Sequence, residues 1–295
     1  MTKTRTPVLP ALALAGAIST FVSLPDAASG AEAHVLGHEV YGTGAEKVIL
    51  LHDWMGDAQN YAPLKAYLDA QAFTYVFADV RGYGRSIRLK GAYTAGEVAS
   101  DVVHLADHLG FDRFHVVGHS MNGMTVQRLA IDDWTGGAKR LKSLVAITPV
   151  SADGYPASEE DRSFLWAAID DPDVAAQAFG ALTGGKLGAK WAQMKVQRNI
   201  ETSDPDAMKG YYKMWLDTDF SAEAAGARVA TPMLVIGGRN DLPGFQEPKL
   251  RASFGQWYPN AELTFITDAG HYPMQETPAY LAAMIEGFLG KHAAP

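Results

Sequence analysis

The chain has 295 residues, of which 47% are hydrophobic and 20% are charged, a composition typical of a globular protein with a sizeable core. Its formal net charge of −8 and the lack of a basic run argue against a nucleic-acid-binding surface. The sequence contains no cysteine, which excludes disulfides, thiolate metal ligands and cysteine nucleophiles.

The N-terminal segment is typical of a secretory signal peptide. Residues 1–6 carry two positive charges, residues 7–24 form an apolar run, and Ala31-Glu32-Ala33 offers a cleavage site ahead of His34. The apolar run is short and contains proline and glycine, so it does not predict a stable membrane span. We expect cleavage after residues 1–33 and a secreted or periplasmic mature chain. The alternative is a retained N-terminal helix on a cytoplasmic protein.

Six short apolar runs predict buried strands, and amphipathic helix patterns separate several of them. In residues 95–110, for example, Val98, Val102 and Leu105 fall on one helix face. This alternation predicts an α/β fold, with a mostly parallel sheet and helices on both of its faces. A hairpin of two antiparallel strands is predicted to precede it across residues 34–44. The predicted strands are 47–52, 73–80, 114–119, 141–150, 232–238 and 262–270.

The strand pattern is interrupted between residues 151 and 228. This segment is rich in alanine and aromatic residues, reads as helical and is too long for a loop. It therefore predicts a helical cap inserted into a core formed by residues 34–150 and 229–295. Because aromatic side chains commonly line small-molecule pockets, Trp166 and Trp215 in this cap are candidate substrate-binding residues.

Candidate catalytic residues follow the ends of different predicted strands. Ser120 comes directly after one strand, Asp241 follows another, and His271 follows a third. In an open parallel sheet, ligands bind beyond the carboxyl ends of the strands, so these side chains should meet. A serine hydroxyl becomes a strong nucleophile when an imidazole takes its proton and a carboxylate orients that imidazole. Asp153 is the alternative candidate for the acid.

The sequence contains four motifs, which in chain order are "DVRGYGRS" at 79–86, Gly118-His119-Ser120-Met121, "PMLVIGGRND" at 232–241 and "DAGHYPMQETP" at 268–278. Together they resemble the motifs of the α/β-hydrolase superfamily, of the serine esterase and lactonase type. The resemblance implies an α/β-hydrolase fold and a Ser120-His271-Asp241 triad, with Ser120 on a sharp strand-to-helix turn called the nucleophile elbow. It also implies an oxyanion hole formed by the backbone N–H groups of Trp54 and Met121. No cofactor or metal is expected.

Two positions depart from the family pattern. Asn122 replaces the usual glycine two residues after the nucleophile, where a side chain would crowd the neighbouring strand, and Gly123 is expected to relieve that crowding. Asp53 replaces another glycine, beside the Trp54 N–H. We expect its carboxylate to turn away from the oxyanion hole and to accept hydrogen bonds from loop amides or a neighbouring side chain. Asp53 is also a candidate substrate-binding residue.

The serine nucleophile narrows the reaction that the resemblance implies. Related dehalogenases and epoxide hydrolases carry aspartate at the position of Ser120, so those activities are not expected. We expect hydrolysis of a small, fairly apolar carboxylic ester or lactone through an acyl-enzyme on Ser120. One alternative is a C–C bond hydrolase or cofactor-free perhydrolase with the same triad. Another is a protein that only binds a small ligand on a hydrolase scaffold.

Overall fold

The structure is a computed structural model that describes residues 1–2 and 35–293. The predicted signal peptide therefore lies outside the described residues, apart from its first two. Within the described part of the chain, no helix is both long and apolar enough to cross a membrane.

Seven strands form one sheet in the spatial order β1-β3-β2-β4-β5-β6-β7. All neighbours are parallel except β1, which runs antiparallel to β3. Every residue of β3, β4 and β6 is buried, and because successive side chains point to opposite faces, both faces of the sheet must be covered. The strands are β1 His38–Tyr41, β2 Glu46–Leu51, β3 Phe73–Ala78, β4 Phe114–His119, β5 Leu141–Ile147, β6 Met233–Gly238 and β7 Ala261–Ile266.

The predicted N-terminal hairpin is wrong. Strand β1 follows the expected antiparallel direction, but it pairs with β3, with His38 opposite Ala78, and not with β2, the next strand in the chain. Both edges of β2 are already used, because it lies between β3 and β4. The chain therefore crosses to the free edge of β3, and β1 becomes an edge strand of the sheet.

Helices of the core connect and cover the strands. Helix α1 begins after Thr94, whose side chain accepts a hydrogen bond from the Glu97 amide, and it buries the predicted stripe of Val98, Val102 and Leu105. The loop at 79–86 is held against α1 because Arg81 pairs with both carboxylate oxygens of Asp101, at 2.6 and 2.8 Å. The core helices are α1 Ala95–His108, α2 Asn122–Gly136, α8 Glu247–Ala252, α9 Phe254–Trp257, α10 Pro273–Glu276 and α11 Pro278–Lys291.

Five further helices lie between β5 and β6, within the segment predicted to be a cap. Two of them begin with an aspartate cap followed by proline, at Asp171 and Asp204, because proline fits the first helical position, where no N–H partner is needed. A third begins with a capping box between Ser158 and Asp161. The cap helices are α3 Glu159–Asp170, α4 Pro172–Leu182, α5 Gly188–Thr202, α6 Pro205–Asp217 and α7 Ser221–Ala227.

Candidate active site

Ser120 lies on a strained turn between β4 and α2. Its φ is +55°, a left-handed conformation that is uncommon outside glycine. The turn depends on two glycines: a Cβ on Gly118 would lie 2.4 Å from the Asn122 carbonyl oxygen, and a Cβ on Gly123 would lie 2.3 Å from the Pro149 Cβ. The backbone therefore has the sharp strand-to-helix geometry of a nucleophile elbow.

The three side chains expected to form the triad are joined by hydrogen bonds. His271 Nε2 lies 2.8 Å from Ser120 Oγ, and His271 Nδ1 lies 2.8 Å from Asp241 Oδ2. All three residues are buried. Asp241 Oδ1 accepts a further hydrogen bond from the Leu242 amide at 2.7 Å, which fixes the plane of the carboxylate. This geometry suits proton transfer from the serine hydroxyl to the imidazole.

The two candidate acids have different surroundings. Burial raises the pKa of Asp241, and the nearby His271 and the Leu242 amide oppose that rise. Asp153 is exposed and points elsewhere: it accepts hydrogen bonds from Ser151 Oγ and Lys249 Nζ, each at 2.5 Å. Asp241 alone of the two contacts the imidazole.

The proposed oxyanion donors belong to the turns that follow β4 and β2. Met121 directly precedes α2, and Trp54 lies in the turn after β2. Among the described residues, neither backbone N–H donates a hydrogen bond to another protein group, so both are free to bind a ligand oxygen. The N-terminus of the 15-residue helix α2 adds a favourable field for negative charge beside Met121.

The Asn122 side chain joins the Ser120 turn, which carries Met121, to the turn after β2, which carries Trp54. Its Nδ2 donates to the His52 carbonyl oxygen at 2.5 Å, and its Oδ1 accepts from Thr125 Oγ1 at 2.8 Å. The crowding expected at this position does not occur, because the side chain extends toward the end of β2. The close approach to the neighbouring strand's loop occurs at Gly123, as expected.

Two other histidines hold the surrounding loops, as the resemblance implies. His52 Nδ1 donates to the Asp53 carbonyl at 2.7 Å, and its Nε2 accepts from the Val80 amide at 3.1 Å, so its ring is neutral. His119 Nε2 donates to the His271 carbonyl at 2.8 Å. Burial lowers the pKa of His119 to about 3, so this ring is neutral as well.

The Asp53 carboxylate is buried and bonded to neighbouring side chains. Its Oδ1 accepts a short hydrogen bond from Asn60 Nδ2, and its Oδ2 accepts from the Tyr272 hydroxyl at 2.5 Å. Lys195 Nζ, from the cap helix α5, donates to Asn60 Oδ1 at 2.5 Å. Burial alone would raise the pKa of Asp53, but the charge of Lys195 and the Tyr272 hydrogen bond hold it well below its usual range.

An apolar cavity of about 860 Å³, counted to its open mouth, lies between the triad and the cap. Its concave shape and apolar lining suit a small molecule. Trp215 is one of its walls, but Trp166 is not: the Trp166 side chain is 41% exposed and packs against Tyr212 on the outer side of the cap. The expectation that Trp166 binds substrate is therefore corrected. Most of the wall is formed by Trp54, Met55, Tyr155, Phe164, Leu165, Phe179, Leu182, Trp215, Leu242, Phe245 and Tyr272, with Asp53, Ser120, Asp161 and His271 also exposed to the cavity.

Comparison with known proteins shows the family. Residues 48–284 match the model of the alpha/beta hydrolase family. The chain belongs to the alpha/beta hydrolase family. A protein of Caulobacter sp. (strain K31), whose name proposes carbamate hydrolysis, is 28% identical over 272 residues, which cover 88% of this hydrolase and 97% of that protein.

Other relatives match the alpha/beta hydrolase over different lengths. A fluoroacetate dehalogenase from Burkholderia sp is 39% identical over 98 residues, and this hydrolase spans 32% of that relative's length. A thermophilic esterase from Thermogutta terrifontis has the same fold, with a TM-score of 0.74, 23% identity, and coverage of 88% of this chain and 94% of that chain. The comparisons therefore agree on the fold and family and span several substrate classes.

The sequence patterns do not predict three residues of the hydrolase site: Tyr272, Lys195 and Asn60. Tyr272 follows His271 directly, and its position beside the candidate base was the available signal. Lys195 lies on α5, and Trp191 and Arg198 lie on the same face of that helix. Their spacing in the sequence marks a polar face, but it does not show which residues of the core that face contacts. Asn60 carried no local signal. Within residues 35–293, no group of histidine and acidic side chains is placed to hold a metal ion.

Proposed function

We propose that the protein hydrolyses a small, fairly apolar carboxylic ester or lactone through an acyl-enzyme on Ser120. The observation that carries the proposal is the continuous hydrogen-bonded path from Asp241 through His271 to Ser120, at the wall of an apolar cavity. Serine, imidazole and carboxylate in this geometry are suited to nucleophilic attack on a carbonyl carbon.

In the first half-reaction, Ser120 Oγ forms a bond to the substrate carbonyl carbon while its proton passes to His271 Nε2. The carbonyl electron pair moves onto oxygen, and the N–H groups of Trp54 and Met121 bind the resulting oxyanion. The carbon–oxygen bond to the alcohol then breaks, and the departing oxygen takes the proton from His271. The acyl group remains on Ser120, and in a lactone the alcohol stays attached to it.

Water completes the cycle by the same route. His271 takes a proton from a water molecule while the oxygen of that water molecule bonds to the acyl carbon. The second tetrahedral intermediate then collapses, Ser120 Oγ leaves with that proton, and a carboxylic acid is released. Asp241 stays ionised throughout and stabilises the imidazolium that forms in each half-reaction.

The lining of the cavity is suited to a substrate with a neutral, apolar acyl or alcohol group. Aromatic and aliphatic side chains dominate its wall, and none of the described residues in that wall is lysine or arginine. A substrate with a free carboxylate deep in the cavity would lose its hydration without gaining a cationic partner, which is unfavourable. This consideration favours a simple ester or lactone over an anionic diketone substrate.

A panel of p-nitrophenyl esters of increasing chain length, assayed beside several lactones and a diketone, tests the proposal. We expect turnover of short to medium acyl esters or lactones, and rapid labelling of the protein by a fluorophosphonate. Turnover of the diketone alone would replace ester hydrolysis by C–C bond hydrolysis. Absence of both turnover and labelling would indicate a ligand-binding protein with an inactive serine.

A further inference from the structure

Cap helix α5 presents three hydrogen-bond donors to the core from one of its faces. Trp191 Nε1 donates to Gln275 Oε1 at 2.6 Å, Lys195 Nζ donates to Asn60 Oδ1 at 2.5 Å, and Arg198 Nε donates to Asp57 Oδ2 at 2.8 Å. The donors are four and three residues apart, which is the spacing of neighbours on one helix face. Their acceptors belong to the segments that follow His271 and Trp54, so α5 is attached to both catalytic loops.

Lys195 differs from Arg198 because its charge is buried. Its side chain is among the buried polar groups, with 3% exposure, whereas the Arg198 side chain remains 43% exposed and forms an ion pair with Asp57. Lys195 Nζ also lies 4.8 Å from the centre of the Tyr272 ring, and the hydroxyl of that ring donates to Asp53. A buried ammonium group is strongly unfavourable without a compensating anion.

Among the described residues, the charges of Asp53 and Asp57 both act on Lys195, and Asp57 is already paired with Arg198. Asn60 bridges the other two, since it accepts from Lys195 and donates to Asp53. His52 and His119 beside Asp53 are neutral, and the Tyr272 hydroxyl is a neutral donor. Among the described residues, Lys195 is therefore the cation that balances the buried Asp53 charge.

This balance matters because Asp53 precedes the residue whose N–H is proposed to bind the oxyanion. A carboxylate about 6 Å from an oxyanion, at an effective dielectric of about 20, slows the reaction about a hundredfold. A cation one side chain away from the carboxylate offsets part of that repulsion. It also keeps the carboxylate directed toward Asn60 and Tyr272 and away from the oxyanion.

We propose that Lys195 is a positioning residue for hydrolysis: carried by the cap, it supplies the counter-charge that allows an aspartate to lie beside the oxyanion hole. The proposal rests on the proposed ester or lactone hydrolysis. It makes the reaction dependent on the docking of α5, because the core supplies the carboxylate and the cap supplies the cation.

Four variants test this role: Lys195→Met, Asp53→Asn, the double variant that removes both charges, and Lys190→Met as the control. Lys190 lies exposed on the same helix. We expect Lys195→Met to lower kcat for the best p-nitrophenyl ester by about 10- to 100-fold with KM changed less than about threefold. The double variant should recover to within about fivefold of the wild type, and Lys190→Met should match the wild type.

A second comparison applies if Lys195→Met does not fold, as judged by circular dichroism and Tm. Once the carboxylate is neutral, the cation is no longer needed, so the double variant should have a kcat within about threefold of Asp53→Asn. A double variant more than tenfold slower than Asp53→Asn, or an unchanged kcat in folded Lys195→Met, would overturn the counter-charge role. If the wild type neither turns over esters or lactones nor reacts with a fluorophosphonate, the proposed function itself fails and this role fails with it.

Discussion

The Asn122 side chain donates a hydrogen bond to the His52 carbonyl oxygen over 2.5 Å, and so joins the Ser120 turn to the loop that carries the Trp54 N–H. The two proposed oxyanion donors belong to these two segments. The asparagine that departs from the family pattern therefore holds the donors at a fixed separation, and its effect on catalysis can be measured.

We expect Asn122→Gly, which restores the family's usual residue, to lower kcat/KM by about tenfold or more, since loss of one oxyanion donor costs about 100- to 1,000-fold. The buried His52 carbonyl would also lose its partner, which costs about 1–3 kcal/mol of stability. Steady-state kinetics and chemical denaturation check both effects. Asn199→Ala, at a buried asparagine of the cap, is the control and should lose stability while keeping kcat/KM. Equal kcat/KM losses in both variants would contradict the role of Asn122.

Asp241→Asn should lower kcat by about 10,000-fold, because an amide can hold the imidazole in the wrong tautomer. Asp153→Asn should leave kcat within about twofold of the wild type, since it removes only a partly exposed contact with Lys249. Measuring kcat of the two variants in parallel shows which aspartate is the catalytic acid of the triad. The reverse ranking would assign the acid to the loop after β5.

The buried neutral His119 predicts a loss of stability in acid. Its folded pKa of about 3 lies below the unfolded value of about 6.5, so its contribution is complete above about pH 6.5 and disappears as pH falls toward 3. Between pH 7 and pH 4, this histidine alone accounts for up to about 3 kcal/mol.

Urea denaturation of His119→Gln at both pH values measures that contribution. The variant should lose less stability on acidification than the wild type. His104→Gln, at an exposed position of α1, should lose as much as the wild type. An identical loss in His119→Gln would mean that His119 is not held neutral by the fold.

We also propose that residues 1–33 are an export signal, removed to leave a mature N-terminus near His34. Expression of the full chain in a bacterial host, followed by N-terminal sequencing of protein from the periplasm or medium, tests this. A substitution of Ala33 by a bulky residue should block cleavage if the A-x-A site is used. Active cytosolic protein that retains Met1 would contradict export.

Local sequence patterns were sufficient for strands β2 to β7 and for the three residues that meet at their ends. A buried apolar run followed by a glycine-flanked serine marks both the strand and the turn after it. Pairing could not be predicted in the same way, because the partner of β1 depends on the whole sheet: β2 lies between β3 and β4, which leaves β1 to pair with the free edge of β3.

The cap was the least predictable part of the site. Nothing in the sequence distinguishes Trp166 from Trp215 as a cavity residue. The orientation of their helices leaves Trp166 exposed and turns Trp215 toward the cavity. Likewise, Lys195 meets Asn60 across 135 positions of the chain, and helical spacing alone gives no indication of that partner. Such contacts depend on how the insertion packs on the core, which local periodicity does not encode.

The most direct test of the account is the rate of ester hydrolysis by Ser120→Ala, His271→Ala and the double variant, with folding verified for each. If Ser120 is the nucleophile and His271 its base, they act as one unit. Each single variant should then lose several orders of magnitude in kcat/KM, and the double variant should be scarcely slower than either. Losses that multiply in the double variant, or a Ser120→Ala protein that retains wild-type turnover, would contradict the acyl-enzyme mechanism.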